Sequence, residues 1–289
     1  MLDAEVSLAG GIQIAVLEST LELLFPQHAT ITAVVEKKQD GSKEIGQVHL
    51  YEEAAYLIYI HPGDLACVAD ACTLLDGLVR LAGERGAHFL LAAIEENNSI
   101  HYGLRQSGFR PAYTHKIWQI SPGQHFPWDD DYQWKPVVEK DYLFLSSIYQ
   151  HCVPPALQPI LPLKEKQLPQ FMLSVKNEVR GYAYLHRYAQ AAFLYPYVCP
   201  SLTDMQPALR SLINVLPAHT KLFIVIPSFQ GGLDSARNSL SVKTVMKQQV
   251  LVKYTALRLK STQAVRSRLE VRGQHAESSN PMAPSSRRE

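Results

Sequence analysis

Three ionisable side chains, Tyr59, His61 and Glu95, stand where the sequence could support proton transfer. Alternation along the strand that ends near His61 places Leu57, Tyr59 and His61 on one side, so that Tyr59 and His61 are expected to line one pocket. Glu95 directly follows an apolar strand, a position at which open α/β sheets tend to bind ligands. A phenol, an imidazole and a carboxylate placed in this way are suited to general acid–base chemistry.

Each of these residues also has a structural interpretation. Tyr59 can pack in a core, and His61 can open a turn with the Pro-Gly pair that follows it. Glu95 precedes a helix, and a carboxylate there stabilises the helix N-terminus. The residues alone leave both interpretations open.

The spacing of histidines and cysteines argues against metal and thiol chemistry. The eleven histidines form no HxxxH pair, and the four cysteines lack CxxC spacing. Cys152 follows His151, but adjacent residues seldom point at each other. We therefore expect no metal site and reduced, structural thiols.

The charge balance limits the classes of partner. With 28 Lys+Arg against 27 Asp+Glu the formal charge is +1, which favours neither nucleic acid nor an anionic membrane. The sequence shows neither a signal-peptide pattern nor an apolar run of the roughly 18 residues that a membrane span needs. We expect a cytoplasmic protein with no nucleic-acid or membrane partner, and the sequence indicates no oligomeric state.

The first half of the chain alternates strand and helix patterns in a regular order. An asparagine, Asn97 or Asn98, is suited to cap the second helix, and Gly86 and Gly108 to end the two helices. The predicted elements are strands at 30–36, 44–50 and 55–60, a helix at 66–84, a strand at 87–94, a short helix before Gly108, and a strand at 110–120.

The second half repeats this order more faintly, which indicates an internal duplication. Its predicted elements are a helix at 141–151, strands at 171–185 and 191–198, a helix at 204–216, and strands at 221–226 and 245–257.

The domain organisation follows from these patterns. We predict a first domain over residues 1–122, a linker rich in proline and aspartate over 123–136, and a second domain over 137–260. Residues 261–289 combine arginines with Ser, Gln, Asn and Pro, and such a composition predicts a disordered tail.

The order of elements over residues 30–120, with the capped short helix and the Gly108-Phe109 pair at its end, resembles the GNAT superfamily of N-acyltransferases. The second half resembles the same superfamily less specifically. The resemblance implies a mixed α/β fold, in which two tandem domains each have a mainly antiparallel sheet, a splayed pair of strands, and helices on both faces.

The resemblance also implies where the pyrophosphate of acyl-CoA would bind. In the family this site is the loop that opens the long helix, and here it aligns with residues 66–71. The family usually has Arg or Gln, two residues, Gly, one residue, then Gly or Ala; only Ala71 fits this pattern. Asp70 brings a negative charge, and it can instead cap the helix. The implied cofactor contacts are Val68, Ala69, Asp70 and Ala71.

Two further family positions lie in and before the short helix. Leu104 occupies the position of the family tyrosine that donates a proton to the departing thiolate. Tyr102 is two residues away, about 200° around the helix, and so is not expected to point into the same cleft. Asn97 matches the asparagine that often contacts the cofactor, although capping alone would explain it.

The function that the resemblance implies is transfer of an acyl group from acetyl-CoA or another acyl-CoA to a small amine, by direct attack on the thioester. His61, Tyr59 and Glu95 are then the candidate acid–base residues. The alternative is a catalytically inactive GNAT-like protein that binds a ligand or a partner, and the altered pyrophosphate loop favours this alternative.

Overall fold

The computed structural model describes most of the chain up to residue 255. The described residues are 5, 8, 30–36, 41–61, 68–121, 124, 126–127, 129–163, 169–188, 191–215 and 221–255. At 68–71 and 238–239 the description covers the backbone only. The predicted tail at 261–289 lies outside the described residues.

Eleven strands form one continuous sheet in the order β1-β2-β3-β4-β11-β5-β10-β9-β8-β7-β6. Among the described pairings, only β3 with β4 and β9 with β10 are parallel. The strands are β1 (Thr30–Glu36), β2 (Lys43–Tyr51), β3 (Ala54–His61), β4 (Phe89–Glu95), β5 (Arg110–Ile120), β6 (Tyr132–Pro136), β7 (Phe171–Val175), β8 (Glu178–Arg187), β9 (Ala191–Val198), β10 (Lys221–Pro227) and β11 (Val242–Tyr254).

The described helices cover both faces of the sheet. They are α1 (Val68–Glu84), α2 (Ile100–Gln106), α3 (Tyr142–Cys152), α4 (Gln206–Asn214) and α5 (Gly231–Ser235). Apolar side chains of α1 pack on one half of the sheet and those of α4 on the other half, both on the same face. Helix α3 packs on the opposite face, against Tyr182 and Tyr197.

The last strands of the two halves of the chain are exchanged. Strand β11, from the second half, lies between β4 and β5 of the first half. Strand β5, in turn, lies between β11 and β10 of the second half. Each half therefore completes its part of the sheet with a strand from the other half.

Most of the predicted elements are confirmed, and two assignments are corrected. The predicted strand at 171–185 is wrong, because Lys176 and Asn177 adopt positive φ angles of 49° and 68° and turn the chain into the hairpin of β7 and β8. Strand β6 lies in the stretch assigned to a linker. The described residues form one compact unit, and the domain boundaries stay a prediction.

The predicted helix ends are confirmed. Gly86 and Gly108 have φ angles of +93° and +85°, which an L side chain rarely adopts. At the start of α2 the cap is made by Asn98, whose Oδ1 accepts a hydrogen bond from the backbone N–H of Ile100 at 3.0 Å. Asn97 is exposed and does not make this bond.

Candidate functional site

The sheet opens where β3 and β4 separate. These two strands pair only from Ala54 to Tyr56, opposite Phe89 to Leu91. Beyond these pairs, residues 57–61 of β3 and 92–95 of β4 form the arms of a V, which we call the first opening. Among the described residues, no hydrogen bond joins its two arms. The backbone edges of the two arms are thus not paired with each other, although the carbonyl of Ala93 accepts a hydrogen bond from the side chain of Gln248.

A second opening lies between β9 and β10, which pair only up to Leu194 and Ile224. Here the buried side chain of Gln230 binds the β9 arm. Its Oε1 accepts a hydrogen bond from the backbone N–H of Val198 at 3.0 Å, and its Nε2 donates to the carbonyl of Cys152 at 2.9 Å. The backbone donor that the second opening would offer to a ligand is therefore already used.

Both openings border one cavity of about 680 Å³, on the face of the sheet opposite α1 and α4. A cavity of this size suits a drug-sized molecule. Tyr56 and Ala93 line it beside the first opening, and Tyr197 and Val225 beside the second. The cavity thus belongs to both halves of the chain.

His115 faces this cavity from the middle of the sheet. Its Nε2 lies 2.9 Å from Oε1 of Gln248, while Nε2 of Gln248 donates to the carbonyl of Ala93 at 3.4 Å. The amide of Gln248 therefore accepts from Nε2–H of His115, which leaves Nδ1 as the proton-accepting nitrogen. Burial lowers the pKa of His115 below 6.5, although the hydrogen bond with Gln248 and the charge of Glu5 oppose this shift. The imidazole is thus neutral at neutral pH.

Glu5 forms a polar cluster at another side of the cavity. Its carboxylate accepts hydrogen bonds from the hydroxyls of Tyr188, at 2.7 Å, and Tyr195, and lies 3.2 Å from Nδ1 of His186. Burial raises the pKa of Glu5, but His186 and the two hydroxyls lower it by more, so the pKa lies below 4.5. Glu5 is the only carboxylate among the described lining residues.

Tyrosines supply much of the cavity wall. Burial is the main cause that raises the pKa of Tyr56 to about 12 and places the pKa values of Tyr113, Tyr182 and Tyr197 well above their ordinary 10. These phenols are therefore uncharged at neutral pH. The lining tyrosines are Tyr51, Tyr56, Tyr113, Tyr182, Tyr184, Tyr188, Tyr195 and Tyr197.

The structure places Tyr59 and His61 together, but outside the cavity. Their rings stack, with centroids 6.5 Å apart and planes 7° apart, on one arm of the first opening. The alternation that puts Leu57 on their side is wrong, because Gln47 pairs with Tyr59 and Val48 with Leu57, which leaves Ile58 as a bulge. Leu57 packs in the core beneath α1 instead.

Glu95 ends the other arm of the first opening. It is exposed and pairs with Gln248 on β11, which in turn pairs with His115 on β5. Directly paired residues of antiparallel strands point to the same face. Glu95, Gln248 and His115 therefore form one row across three strands, with the exposed Glu95 at one end and the half-buried His115 at the other.

The predicted pyrophosphate loop is only partly described. Residues 62–67 lie outside the described residues, and at Val68, Ala69, Asp70 and Ala71 only the helical backbone is described. These four residues begin α1, so their peptide groups belong to the first turn of a helix, whose N–H groups favour an anion. Their role as cofactor contacts stays a prediction.

Sequence reasoning missed His115, Gln248 and Glu5. One available signal was the alternation of Tyr113, His115 and Ile117 along a correctly predicted strand, which places the three side chains on one face. The partnership with Gln248 had no local signal, because it depends on the exchange of β11. Glu5 lies far along the chain from the tyrosines that it contacts.

Comparison of the fold with solved structures identifies its class. The chain matches a GCN5-related N-acetyltransferase from Sphaerobacter thermophilus with a TM-score of 0.53 and 14% identity, over 77% of this chain and 80% of that one. A GCN5-related N-acetyltransferase from Kribbella flavida matches with a TM-score of 0.51 and 12% identity, over 88% and 98% of the two chains. A functionally unknown conserved protein from Staphylococcus epidermidis matches with a TM-score of 0.53 and 8% identity, over 73% of this chain and 91% of that one.

The protein therefore has the fold of the GCN5-related N-acetyltransferases, as the resemblance in the sequence predicts. No protein-family model and no curated protein sequence matches the chain. Within its described part, no helix has the length and apolar character needed to cross a membrane.

Proposed function

We propose that this protein transfers an acyl group from acyl-CoA to an amine, with the acyl donor in the first opening and the amine in the cavity. The observation that carries this proposal is the combination of an opening whose arms are not paired with each other and a cavity behind it that holds a neutral, half-buried imidazole. The opening supplies backbone edges that are not paired with each other to an amide-containing donor, and His115 supplies a base.

The proposed reaction is a direct transfer of the acyl group from the thioester to the amine. The amine nitrogen attacks the thioester carbonyl carbon, the C–S bond breaks, and the sulfur leaves as a thiolate that takes a proton from solvent. The amine loses its proton to Nδ1 of His115, directly or through water. Gln248 holds the imidazole in the tautomer that makes this possible.

The two openings differ in what they offer to a donor. Gln230 uses the backbone donor of Val198 in the second opening. We therefore assign the donor to the first opening and expect one acyl-CoA per chain. The second half then serves as a wall of the amine site.

The direct test is calorimetric titration with acetyl-CoA, longer acyl-CoAs and free CoA, together with an assay of acyl transfer to a panel of amines. We expect one binding site per chain. Absence of binding of every CoA species at millimolar concentration would favour the inactive, ligand-binding alternative. Two sites per chain would overturn the assignment to one opening.

His115→Gln tests the proposed base. We expect kcat/KM to fall by about 100-fold or more, as is typical when a general base is lost, while acyl-CoA binding is retained. The matched control is His88→Gln. His88 is partly exposed, pairs with Glu53 at 3.2 Å, and lies at the end of β4 away from the opening. An equal loss in both variants would refute the role of His115.

A further inference from the structure

The wall of the cavity formed by the second half is rich in tyrosine. We call Tyr182, Tyr184, Tyr195 and Tyr197 the tyrosine wall; all four line the cavity. Tyr182 and Tyr197 stack with centroids 5.0 Å apart, and Tyr184 stands nearly perpendicular to both, at 89°. These three rings thereby hold one another in one orientation.

The tyrosine wall offers flat, apolar surface without a formal charge. Tyr182 and Tyr197 are buried, and burial keeps both phenols protonated at neutral pH. Tyr184 and Tyr195 are half-buried and expose part of their rings to the cavity. Aromatic rings prefer to pack against such surfaces by stacking or edge to face.

The charges around the cavity argue against a polycation. A polyamine or an aminosugar would need several carboxylates, and Glu5 is the only one among the described lining residues. Glu5 also already accepts hydrogen bonds from two tyrosines beside His186. A volume of about 680 Å³ nevertheless exceeds what a small alkylamine would fill.

We propose that the acceptor is a primary amine carried by a short linker on an aromatic ring, and that the tyrosine wall binds this ring. The amino group then points toward His115, and the ring packs beside Tyr184. This inference rests on the acyl transfer proposed above and specifies its acceptor.

The test compares amines that differ in one property. With acetyl-CoA as donor, kcat/KM is measured for 2-phenylethylamine, 2-cyclohexylethylamine, butylamine and spermidine. We expect 2-phenylethylamine to exceed its cyclohexyl analogue by roughly three- to tenfold, the range of an aromatic pair, and to exceed the other two by more. Equal or better transfer to butylamine or spermidine would overturn the inference and leave the proposed function in place.

Variants of Tyr184 show whether its aromatic ring causes the preference for the phenyl amine. Tyr184→Leu should abolish the preference for the phenyl over the cyclohexyl amine, whereas Tyr184→Phe should keep it. The control is Tyr254→Leu, since Tyr254 is 63% exposed and ends β11 away from the openings. An unchanged preference in Tyr184→Leu would contradict the assignment of the ring to this wall.

A readout without acyl transfer separates the two proposals. Saturation-transfer NMR measures binding of 2-phenylethylamine to the full chain in the absence of acyl-CoA. Binding that is lost in Tyr184→Leu supports the aromatic site even if no acyl-CoA binds, in which case only the proposed function fails. Turnover of alkylamines without binding of the aromatic amine would support the proposed acyl transfer and refute the aromatic acceptor site.

Discussion

His115 couples the stability of the fold to pH. Its native pKa lies below 6.5 because it is buried, whereas in the unfolded chain it titrates near the ordinary imidazole value. As the pH falls below about 6.5, His115 therefore takes up a proton in the unfolded chain but stays neutral in the native chain. The free energy of unfolding must decrease with falling pH in this window, until the native pKa is reached.

We predict that His115→Gln flattens this part of the pH profile. Urea unfolding of the wild type and of the variant, measured at steps from neutral to about pH 5, gives the slopes to compare. Glu5 acts separately, because its lowered pKa costs stability only below about pH 4.5. Identical slopes in the two proteins above that pH would show that His115 is not buried in its neutral form.

Cys152 and Cys199 form a second coupled pair of residues. Their sulfur atoms lie 3.5 Å apart, at the end of α3 and directly after β9. The hydrogen bond between them raises the pKa of Cys152 and lowers that of Cys199; burial opposes the second shift, and His151 and Arg180 favour it. Cys199 is therefore the more nucleophilic thiol of the two.

We predict that hydrogen peroxide converts this pair into a disulfide, with two thiols oxidised and the peroxide reduced to water. Peptide mapping by mass spectrometry under non-reducing conditions should find Cys152 linked to Cys199. Cys199→Ser should remove this product. Oxidation of Cys72 ahead of this pair would contradict the prediction.

At the scale of elements, Lys253 ties two helices to the exchanged strand. Its Nζ donates to Asp76 on α1 at 2.5 Å and to the carbonyl of Ser107, at the end of α2, at 2.6 Å. Its side chain is only 21% exposed. The pair of Lys247 with Glu96, at 3.8 Å, lies on the same strand but is about half exposed on both sides.

We predict that Lys253→Met lowers the free energy of unfolding by about 1–2 kcal/mol, since hydrogen bonds to a charged group are lost and a buried carbonyl is left unpaired. Lys247→Met should cost less than about 0.5 kcal/mol, as expected of an exposed ion pair. Chemical denaturation of both variants measures the difference. Equal costs would mean that Lys253 does not hold the helices.

The elements also show how far sequence reasoning reaches. Strands with one alternating or apolar pattern, such as β1 and β9, follow from local residues, as do the glycine stops of α1 and α2. Local patterns did not predict the bulge at Ile58 or the hairpin at Lys176 and Asn177, because each depends on how a neighbouring strand pairs. The row of Glu95, Gln248 and His115 joins residues from distant parts of the chain. Only Glu95, at its exposed end, could therefore be proposed from the sequence.

At the scale of the whole molecule, the exchange of β5 and β11 predicts that the two halves unfold together. Trp118 and Trp134 lie in the core beneath α4, so their fluorescence reports on the second half. Leu75, on α1 in the first half, is fully buried against the sheet. If the two halves unfold together, a substitution at Leu75 must shift the unfolding transition that both tryptophans report.

We predict that Leu75→Ala, at a cost of about 2–5 kcal/mol, shifts the thermal transition seen by fluorescence and by far-UV circular dichroism to the same extent. The experiment is made in a Trp128→Phe background, so that only the two core tryptophans report. A fluorescence transition that stays in place, while circular dichroism shows an earlier phase, would mean that the halves unfold independently.

The same exchange of strands determines when the sheet can form during synthesis on the ribosome. Strands β4 and β5 emerge early, but the strand that joins them, β11, is among the last described segments to be made. At about 5–20 residues per second, the nascent chain carries two unsatisfied sheet edges for several seconds or more. The sheet of the first half cannot close before β11 has been made, and until then its edges are open to chaperones and to aggregation.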